Sequence, residues 1–562
     1  MTEQRRHWWQ NATVYQIYPR SFADSNGDGI GDIPGIIGKL DYLRDLGIGV
    51  IWLSPICASP MRDNGYDISD YQAIAPIFGT LDDFDRMVAE AKARGIGILL
   101  DLVVNHTSDQ HRWFLDARSS RTSRYRDYYI WRDPTPDGGV PNDLQSTFGG
   151  PAWTLDPMTG QYWFHQFAPE QPDLNWENPQ VRAEIYRMMN WWLDRGIAGF
   201  RLDVINLIAK EPDRGITADG PRLHDYLREM NAETLAGRDL LTVGESWSAT
   251  PETALLYSGR DRRELSMVFQ FEHIIQQWHE KWGKWQPRPF DLVAFKRIIT
   301  RWQVALADDG WNSLFWGNHD LPRAVSKYGD DSGYRVQSAK MLATVLHFLK
   351  GTPYVYQGEE IGMTNVPFSA ITQYRDIETL NMHRLHLEAG LPEADFISGA
   401  NANGRDNSRT PMQWTGGRHA GFTAGTPWIE INPNHDRINV EAAQNDPNSI
   451  LAHYRRLIAL RKELPIIVEG RYTSWLDDHP AVMAYTRTLR SQSLLVIANF
   501  TAREVALDLP PQLQGNGTLL VGNPGRSPGV PARLHLEPFE ANAWMLERAV
   551  GRTGPKREQA AG

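Results

Sequence analysis

The sequence predicts an α/β protein built on a closed (β/α)8 (TIM) barrel, with a subdomain inserted after strand three and a C-terminal antiparallel β domain. Three observations carry that prediction. Eight short apolar runs alternate with amphipathic stretches between residues 14 and 356, the pattern of parallel strands joined by crossover helices. The stretch Thr107–Leu174, rich in Trp, Tyr, Pro, Gly and Asp, separates the third run from its helix and is too long for an ordinary βα loop. From about Gly470 the pattern changes to short β-like runs such as Ala481–Thr486, Ser493–Ile497 and Gly517–Val521.

In chain order the expected barrel strands are Val14–Tyr18, Gly49–Leu53, Ile96–Val104, Gly199–Leu202, Leu240–Val243, Met267–Phe271, Leu314–Trp316 and Tyr354–Tyr356. Helices are expected at Gly38–Leu46, Leu81–Arg94, Gln180–Arg195, Pro221–Leu235, Leu292–Leu306, Arg335–Leu349 and Asn448–Glu463. The third of these shows the signals clearly. Asn178-Pro179 reads as N-cap and first helical residue, Val181, Ile185, Met188 and Trp192 share one face, and Gly196 stops the run. A doubly wound open sheet would also alternate, but no G-x-G-x-x-G follows any strand candidate. Glu359–Pro447 is a second long excursion, after strand eight. The expected division is a barrel from 1–106 and 175–470, an inserted subdomain at 107–174, a β domain at 471–550 and a loose tail at 551–562.

Of the 562 residues, 41% are hydrophobic and 22% charged, a globular balance in which no window reaches membrane-spanning length. The net charge of −10 gives no electrostatic footprint for nucleic acid and disfavours anionic membranes. A neutral substrate fits. Twenty-one Trp and twenty Tyr are numerous, as in sites for flat-faced ligands such as sugars, though aromatics also fill cores. A single cysteine, Cys57, rules out an internal disulfide, and the opening MTEQRRHWWQ leads into no apolar leader segment. A cytoplasmic location is therefore expected, with a monomer the default assembly.

In a barrel, reacting groups sit where strands end and loops begin. The fourth strand opens GFRLDVIN, which places Arg201 and Asp203 two positions apart and therefore on one face. An isolated Arg-x-Asp is ordinarily a structural ion pair, but three other strand ends also carry polar residues. Strand three ends in DLVVNH (Asp101–His106), strand five in VGES with Glu245 and then Trp247, and strand seven in FWGNHD with His319 and Asp320. Three acids and two imidazoles on one rim suit retaining glycoside hydrolysis, which needs one carboxylate to attack and a second carboxyl group to donate a proton.

Five ordered motifs, DLVVNH, QPDLNW (Gln171–Trp176), GFRLDVIN, VGES and WGNHD, resemble glycoside hydrolase family 13, the α-amylase family. The resemblance covers nearly the whole chain and implies a barrel, an inserted domain and a C-terminal β domain. It implies Asp203 as nucleophile, Glu245 as general acid/base and Asp320 as the carboxylate that holds sugar hydroxyls. It also implies that His106, Arg201 and His319 line the subsite of the cleaved glucose with Tyr66 stacked beneath it, and that Phe167 and Gln171 bind substrate. YQIYPRSFADSNGDGIGDIPGI and RDNSRTPMQW further resemble oligo-1,6-glucosidases and dextran glucosidases. In that subfamily an Asp–Arg pair, here Asp63 and Arg405, closes the pocket behind the terminal glucose and enforces exo action.

Val204, directly after the implied nucleophile, matches the α-1,6-preferring members. Trp247 is expected to stack on the next sugar, with Lys284 and Glu378 bonding its hydroxyls. The expected activity is an exo-acting α-glucosidase on isomalto-oligosaccharides or dextran. An α-1,4-glucosidase or a sucrose-acting glucosidase or isomerase remains an alternative. A non-catalytic transporter-associated relative would lack the three acids and carry a membrane anchor. No cofactor is expected for catalysis. Asp24, Asn26, Asp28, the Ile30 carbonyl and Asp32 space oxygen donors as in the first half of an EF-hand loop, but Gly35 stands where that loop has its bidentate Glu. The resemblance implies a structural Ca2+ there.

Overall fold

A computed structural model describes residues 7–523 and 525–547. Eight parallel strands form its centre: β1 (Val14–Ile17), β2 (Val50–Leu53), β3 (Gly97–Leu102), β4 (Gly199–Leu202), β5 (Leu241–Glu245), β6 (Met267–Phe269), β7 (Ser313–Leu314) and β8 (Thr352–Tyr356). Neighbours in sequence are neighbours in the sheet, and β8 pairs with β1. A parallel bridge between Val268 and Asn312 closes the remaining gap between β6 and β7. Strands β1, β2, β4, β5 and β8 are buried at every residue, because barrel interior and helix layer each cover one face.

The helices lie outside this cylinder. Pro179–Asp194 starts as expected, with Asn178 capping the N–H of Gln180 and Pro179 in the first turn, and buries Val181, Ile185, Met188 and Trp192. The Pro251–Ser258 helix is additional to the sequence reading. Its Thr250/Thr253 capping box and Pro251 are helix-start signals, but it is only eight residues long. Residues 231–235, read as the end of a helix, form a π-helical turn after Leu223–Met230. Phe315 and Trp316, read as strand seven, leave the ladder yet stay buried. An apolar run reports burial, and the ladder is a separate matter of backbone pairing.

After β3 the chain builds a three-stranded antiparallel sheet from Trp131–Arg132, Gln161–Phe164 and Trp153–Asp156, with a small core of its own. Bridges from His106 to Asp173 and from Tyr129 to Leu174 bring the insertion back to the barrel rim. Buried Lys210 fastens that return, with Nζ 2.5 Å from Asp173 Oδ2 and 2.6 Å from Asn105 Oδ1. A desolvated ammonium is tolerated there because both partners are in place. The excursion after β8 carries helices Ile377–Glu388 and Glu393–Asn403, packed around Trp285, Phe368, Tyr374 and Phe396.

The C-terminal sheet runs in the order 471–475, 482–489, 492–499, 541–547, 517–521. Alternate residues separate its two faces. Val482 and Ala484 join Leu507, Leu534 and Leu536 of a two-stranded flap, while Met483 and Tyr485 join the barrel core. On these elements we propose domain limits at 106/107, 174/175 and 470/471. The expected tail, 551–562, lies outside the described residues.

Gly199 opens β4 at φ +143°, and a Cβ there would stand 1.8 Å from the Leu241 carbonyl oxygen of β5. No side chain fits between the two strands that present Asp203 and Glu245. Gly199→Ala is therefore expected to cost more than about 2 kcal/mol, measurable by denaturant unfolding. An unchanged midpoint would contradict the close approach.

Candidate active site

The site is assembled by register. The β3–β4 pairing sets Asp101 opposite Arg201, and the β4–β5 pairing sets Arg201 opposite Val243, so Glu245 arrives at the same rim. Arg201 is 1% exposed. One of its amino groups donates to Asp101 Oδ1 and Asp203 Oδ1, each at 2.7 Å, and the other donates to Glu245 Oε2. The guanidinium lies 5.1 Å from the Trp52 ring centroid. One cation thus serves three carboxylates in a dry site.

Three carboxyl groups around one guanidinium repel one another's charge. Burial pushes Asp101 up to about 6, with the charge of Glu245 adding and Arg201 opposing. Burial also raises Asp203 well above the usual carboxylate range, again against Arg201 and with Glu245 and Asp101 adding. Burial and mutual repulsion thus favour the protonated forms of Asp101 and Asp203. The Asp203 and Glu245 carboxylates are held by the two adjacent amino groups of one guanidinium.

Glu245 is held by two further donors. Its Oε1 accepts the Trp247 indole N–H at 2.9 Å, and its Oε2 accepts the Val204 N–H at 3.2 Å. Val204 adopts φ +35°, ψ +44°, a left-handed conformation costly for a β-branched residue. That bend follows Asp203 directly and turns the next N–H toward Glu245.

The second acidic group follows β7. Asp320 Oδ1 accepts from Arg409 at 2.9 Å and Arg405 at 3.2 Å, and its Oδ2 lies 3.1 Å from His319 Nε2. Burial alone would raise Asp320, but His319, Arg405, Arg409 and Arg201 together hold it well below the usual range. It is the firmly ionised acid of the rim. Burial drives His319 down to about 3, so the ring is neutral. The Gln16 amide N–H donates to its Nδ1 at 2.8 Å, which leaves the ring proton on Nε2, 2.6 Å from the Tyr66 hydroxyl. Tyr66 donates onward to Asp101 Oδ2 at 2.9 Å, and its ring lies parallel to His319 with centroids 5.2 Å apart.

The wall behind this rim consists of Asp63, Gln171, His106, Phe167 and Arg405. Asp63 accepts from Gln171 at 3.1 Å and from Arg405 at 3.4 Å. Burial pushes Asp63 up to about 7 against the pull of Arg405 and Arg409, and burial lowers His106 to about 4. The Phe167 ring centroid is 5.2 Å from His106 and 5.3 Å from Phe148. Trp247 lies flat on Phe271, with centroids 3.9 Å apart, and Lys284 Nζ is 2.6 Å from Glu378 Oε2.

Every residue read from the sequence as catalytic or substrate-binding falls in this one region. Asp101, Gln16, Asp376 and Arg409 belong to it as well and had no assigned role. Asp101 and Arg409 lie inside motifs the sequence displays, DLVVNH and RDNSRTPMQW. Gln16 and Asp376 carry no such signal. A cleft of about 1120 Å3 lined by Trp9, Leu240, Trp311 and Lys350 holds none of the catalytic or substrate-binding residues.

The Asp24–Asp32 loop is separate. Its bonds run to Phe422, Thr423 and Trp428. Asp24 accepts from the N–H groups of Asn26, Gly27 and Gly29, Asn26 from Asp28, and Asp28 from Ile30. Against the effect of burial, bonds from Thr423 and these N–H groups hold Asp24 below its ordinary value. The donors are all oxygen, as a hard cation requires. Asp32 turns one carboxylate oxygen to the N–H of Gly35 and the other to Ser25. Among the described residues no three His, Cys, Asp or Glu side chains are gathered as a preformed metal cluster.

Comparison with known proteins extends these findings. Residues 16–470 match the family model "Alpha amylase, catalytic domain", and residues 482–541 match "Alpha-amylase SusG C-terminal domain". The chain is 57% identical over 544 residues to the palatinase of Erwinia rhapontici, covering 96% of this chain and 99% of that protein. It is 52% identical over 556 residues to the oligo-1,6-glucosidase of Halalkalibacterium halodurans, covering 96% and 99% respectively. The crystal structure of isomaltulose synthase from Erwinia rhapontici NX5 is similar with a TM-score of 0.94 at 41% identity, over 97% of this chain and 100% of that one.

Proposed function

The chain belongs to the α-amylase family of glycoside hydrolases, and from that premise we propose that it is a retaining, exo-acting α-glucosidase. It releases glucose from the non-reducing ends of α-1,6-linked isomalto-oligosaccharides and dextran. The observation that carries this reading is the pair Asp203 and Glu245 on adjacent amino groups of Arg201, in front of a wall closed by Asp63 and Arg405.

In the proposed reaction Asp203 attacks the anomeric carbon of the terminal glucose. Glu245 delivers a proton to the glycosidic oxygen as that bond breaks. A glucosyl ester on Asp203 results, and the shortened chain leaves as an alcohol. Water then loses a proton to Glu245 and attacks the anomeric carbon, freeing Asp203 and restoring the starting protonation. The surplus negative charge around Arg201 stabilises the cationic transition state, since it is fixed in a dry site before the substrate arrives. Asp320, held ionised by Arg405 and Arg409, accepts hydrogen bonds from the sugar hydroxyls. His106, Gln171, Phe167, His319 and Tyr66 line the same glucose, and Trp247, Lys284 and Glu378 face the next sugar.

A second reading within the family is transfer of the glucosyl group to a held sugar instead of water, or action on sucrose. The likeness to an isomaltulose synthase supports testing it. We place the enzyme in the cytoplasm, in keeping with its single buried cysteine, Cys57. Among the described residues no helix is long and apolar enough to cross a membrane. A monomer is proposed.

Initial rates on isomaltose, isomaltotriose, dextran, maltose and sucrose test the linkage preference. Isomaltosides should lead, with dextran also cleaved; leadership by maltose or sucrose would reject the α-1,6 assignment. Val204→Thr should move the isomaltose-to-maltose ratio toward maltose by about tenfold, and an unchanged ratio would remove Val204 from the linkage argument.

For the Asp24–Asp32 loop we propose a structural Ca2+ held by Asp24, Asn26, Asp28, Asp32 and the Ile30 carbonyl. Chelator treatment should lower the melting temperature and added Ca2+ restore it. Identical melting curves with and without chelator would overturn the assignment.

A further inference from the structure

Arg405 is a hub with more partners than pocket closure requires. Its guanidinium reaches Asp63 at 3.4 Å and Asp320 at 3.2 Å on the side of the terminal glucose. It also reaches Glu378 at 3.3 Å, and Glu378 in turn holds Lys284 at 2.6 Å on the side of the next sugar. Its tightest partner is neither. Asp376 Oδ1 accepts from both Nε at 2.9 Å and a terminal amino group at 2.5 Å. Two N–H groups on one oxygen fix the plane of the guanidinium, which then lies 5.0 Å from the Phe148 ring.

Asp376 is fully buried, and its second oxygen is also in use. Oδ2 caps the Ile377–Glu388 helix by accepting the Thr379 N–H at 3.0 Å and the Thr379 hydroxyl at 2.7 Å. Its own N–H donates to Asp406 Oδ2 at 3.0 Å, beside Arg405 in sequence. Arg405 and Arg409 hold the Asp376 carboxyl well below the usual range although burial opposes them. One carboxylate thus sets the first turn of the helix that carries Glu378 and, at the same time, the orientation of Arg405.

We propose that Asp376 is a positioning residue for exo specificity. It locks Arg405 across the pocket, so that the wall behind the terminal glucose and the Glu378–Lys284 contact with the next sugar form one mechanical unit. The proposal rests on the exo-glucosidase reading above. Without Asp376 the guanidinium keeps its charge but loses its fixed plane, and the wall yields to substrates extended at the non-reducing end. A purely structural role for Asp376 would weaken the helix and leave that discrimination intact.

Asp376→Asn separates the two roles, because Asn is as good an N-cap as Asp while it removes the charge facing Arg405. The readout is a selectivity ratio: kcat/KM for isomaltotriose over kcat/KM for isomaltotriose alkylated at O6 of its terminal glucose. The native enzyme should reject the blocked substrate. The variant should lower the ratio by about tenfold or more, the scale of a charge-assisted hydrogen bond. Arg405→Lys should lower it too, and the double variant should be no worse than Arg405→Lys alone, since Asp376 acts through Arg405. Asp376→Ser, which also caps, replaces the Asn variant if that one does not fold. An unchanged ratio in a folded variant, or additive effects in the double variant, would overturn the proposal. Cleavage of the blocked substrate by the native enzyme would instead reject the exo reading itself.

Discussion

The arrangement depends on one guanidinium that is outnumbered. Arg201 is buried at the end of β4 and meets Asp101, Asp203 and Glu245 with two amino groups. Desolvation makes each charge expensive, and one cation faces three carboxyl groups, so Asp101 and Asp203 are pushed toward their protonated forms. A site that favours bound protons suits a retaining glycosidase, whose acid must be loaded when substrate binds. The negative excess left over is what an oxocarbenium-like transition state needs. Asp320 lies outside this bargain. His319, Arg405 and Arg409 surround it with positive charge or oriented dipole, and it stays ionised.

The fold contributes register. In-line pairing of β3, β4 and β5 sets Asp101 and Glu245 on either side of Arg201, and the absence of a side chain at Gly199 lets β4 and β5 approach. Lys210 then ties the inserted sheet to the rim through Asp173 and Asn105, next to His106. The small domain therefore supplies Phe167 and Gln171 from a fixed position.

Much of this was legible in the residues because strand-end chemistry is local. Arg201 lies in β4 and Asp203 directly after it, two positions on, and Asp101 and His106 lie within and just after one apolar run. The helix at 179–194 was equally readable, since its cap, proline and apolar stripe agree. What stayed hidden depends on distant partners. Asp376 and Arg405 are 29 residues apart, in a stretch whose helix Ile377–Glu388 buries only Thr379 and His386 and so shows no apolar stripe. Gln16 matters only because β1 passes beneath His319. The left-handed bend at Val204 is invisible for a related reason: Val is the residue type from which propensity would not expect it.

The central claim is that Asp203 is the atom source of a covalent intermediate, and it is tested most directly by trapping that intermediate. A slow fluorinated glucosyl fluoride, followed by proteolysis and mass spectrometry, should give one adduct of one glucosyl unit, on the peptide containing Gly199–Asn206 and located at Asp203. Labelling at Asp101, Glu245 or Asp320, or turnover that releases glucose of inverted configuration with no adduct, would contradict the account.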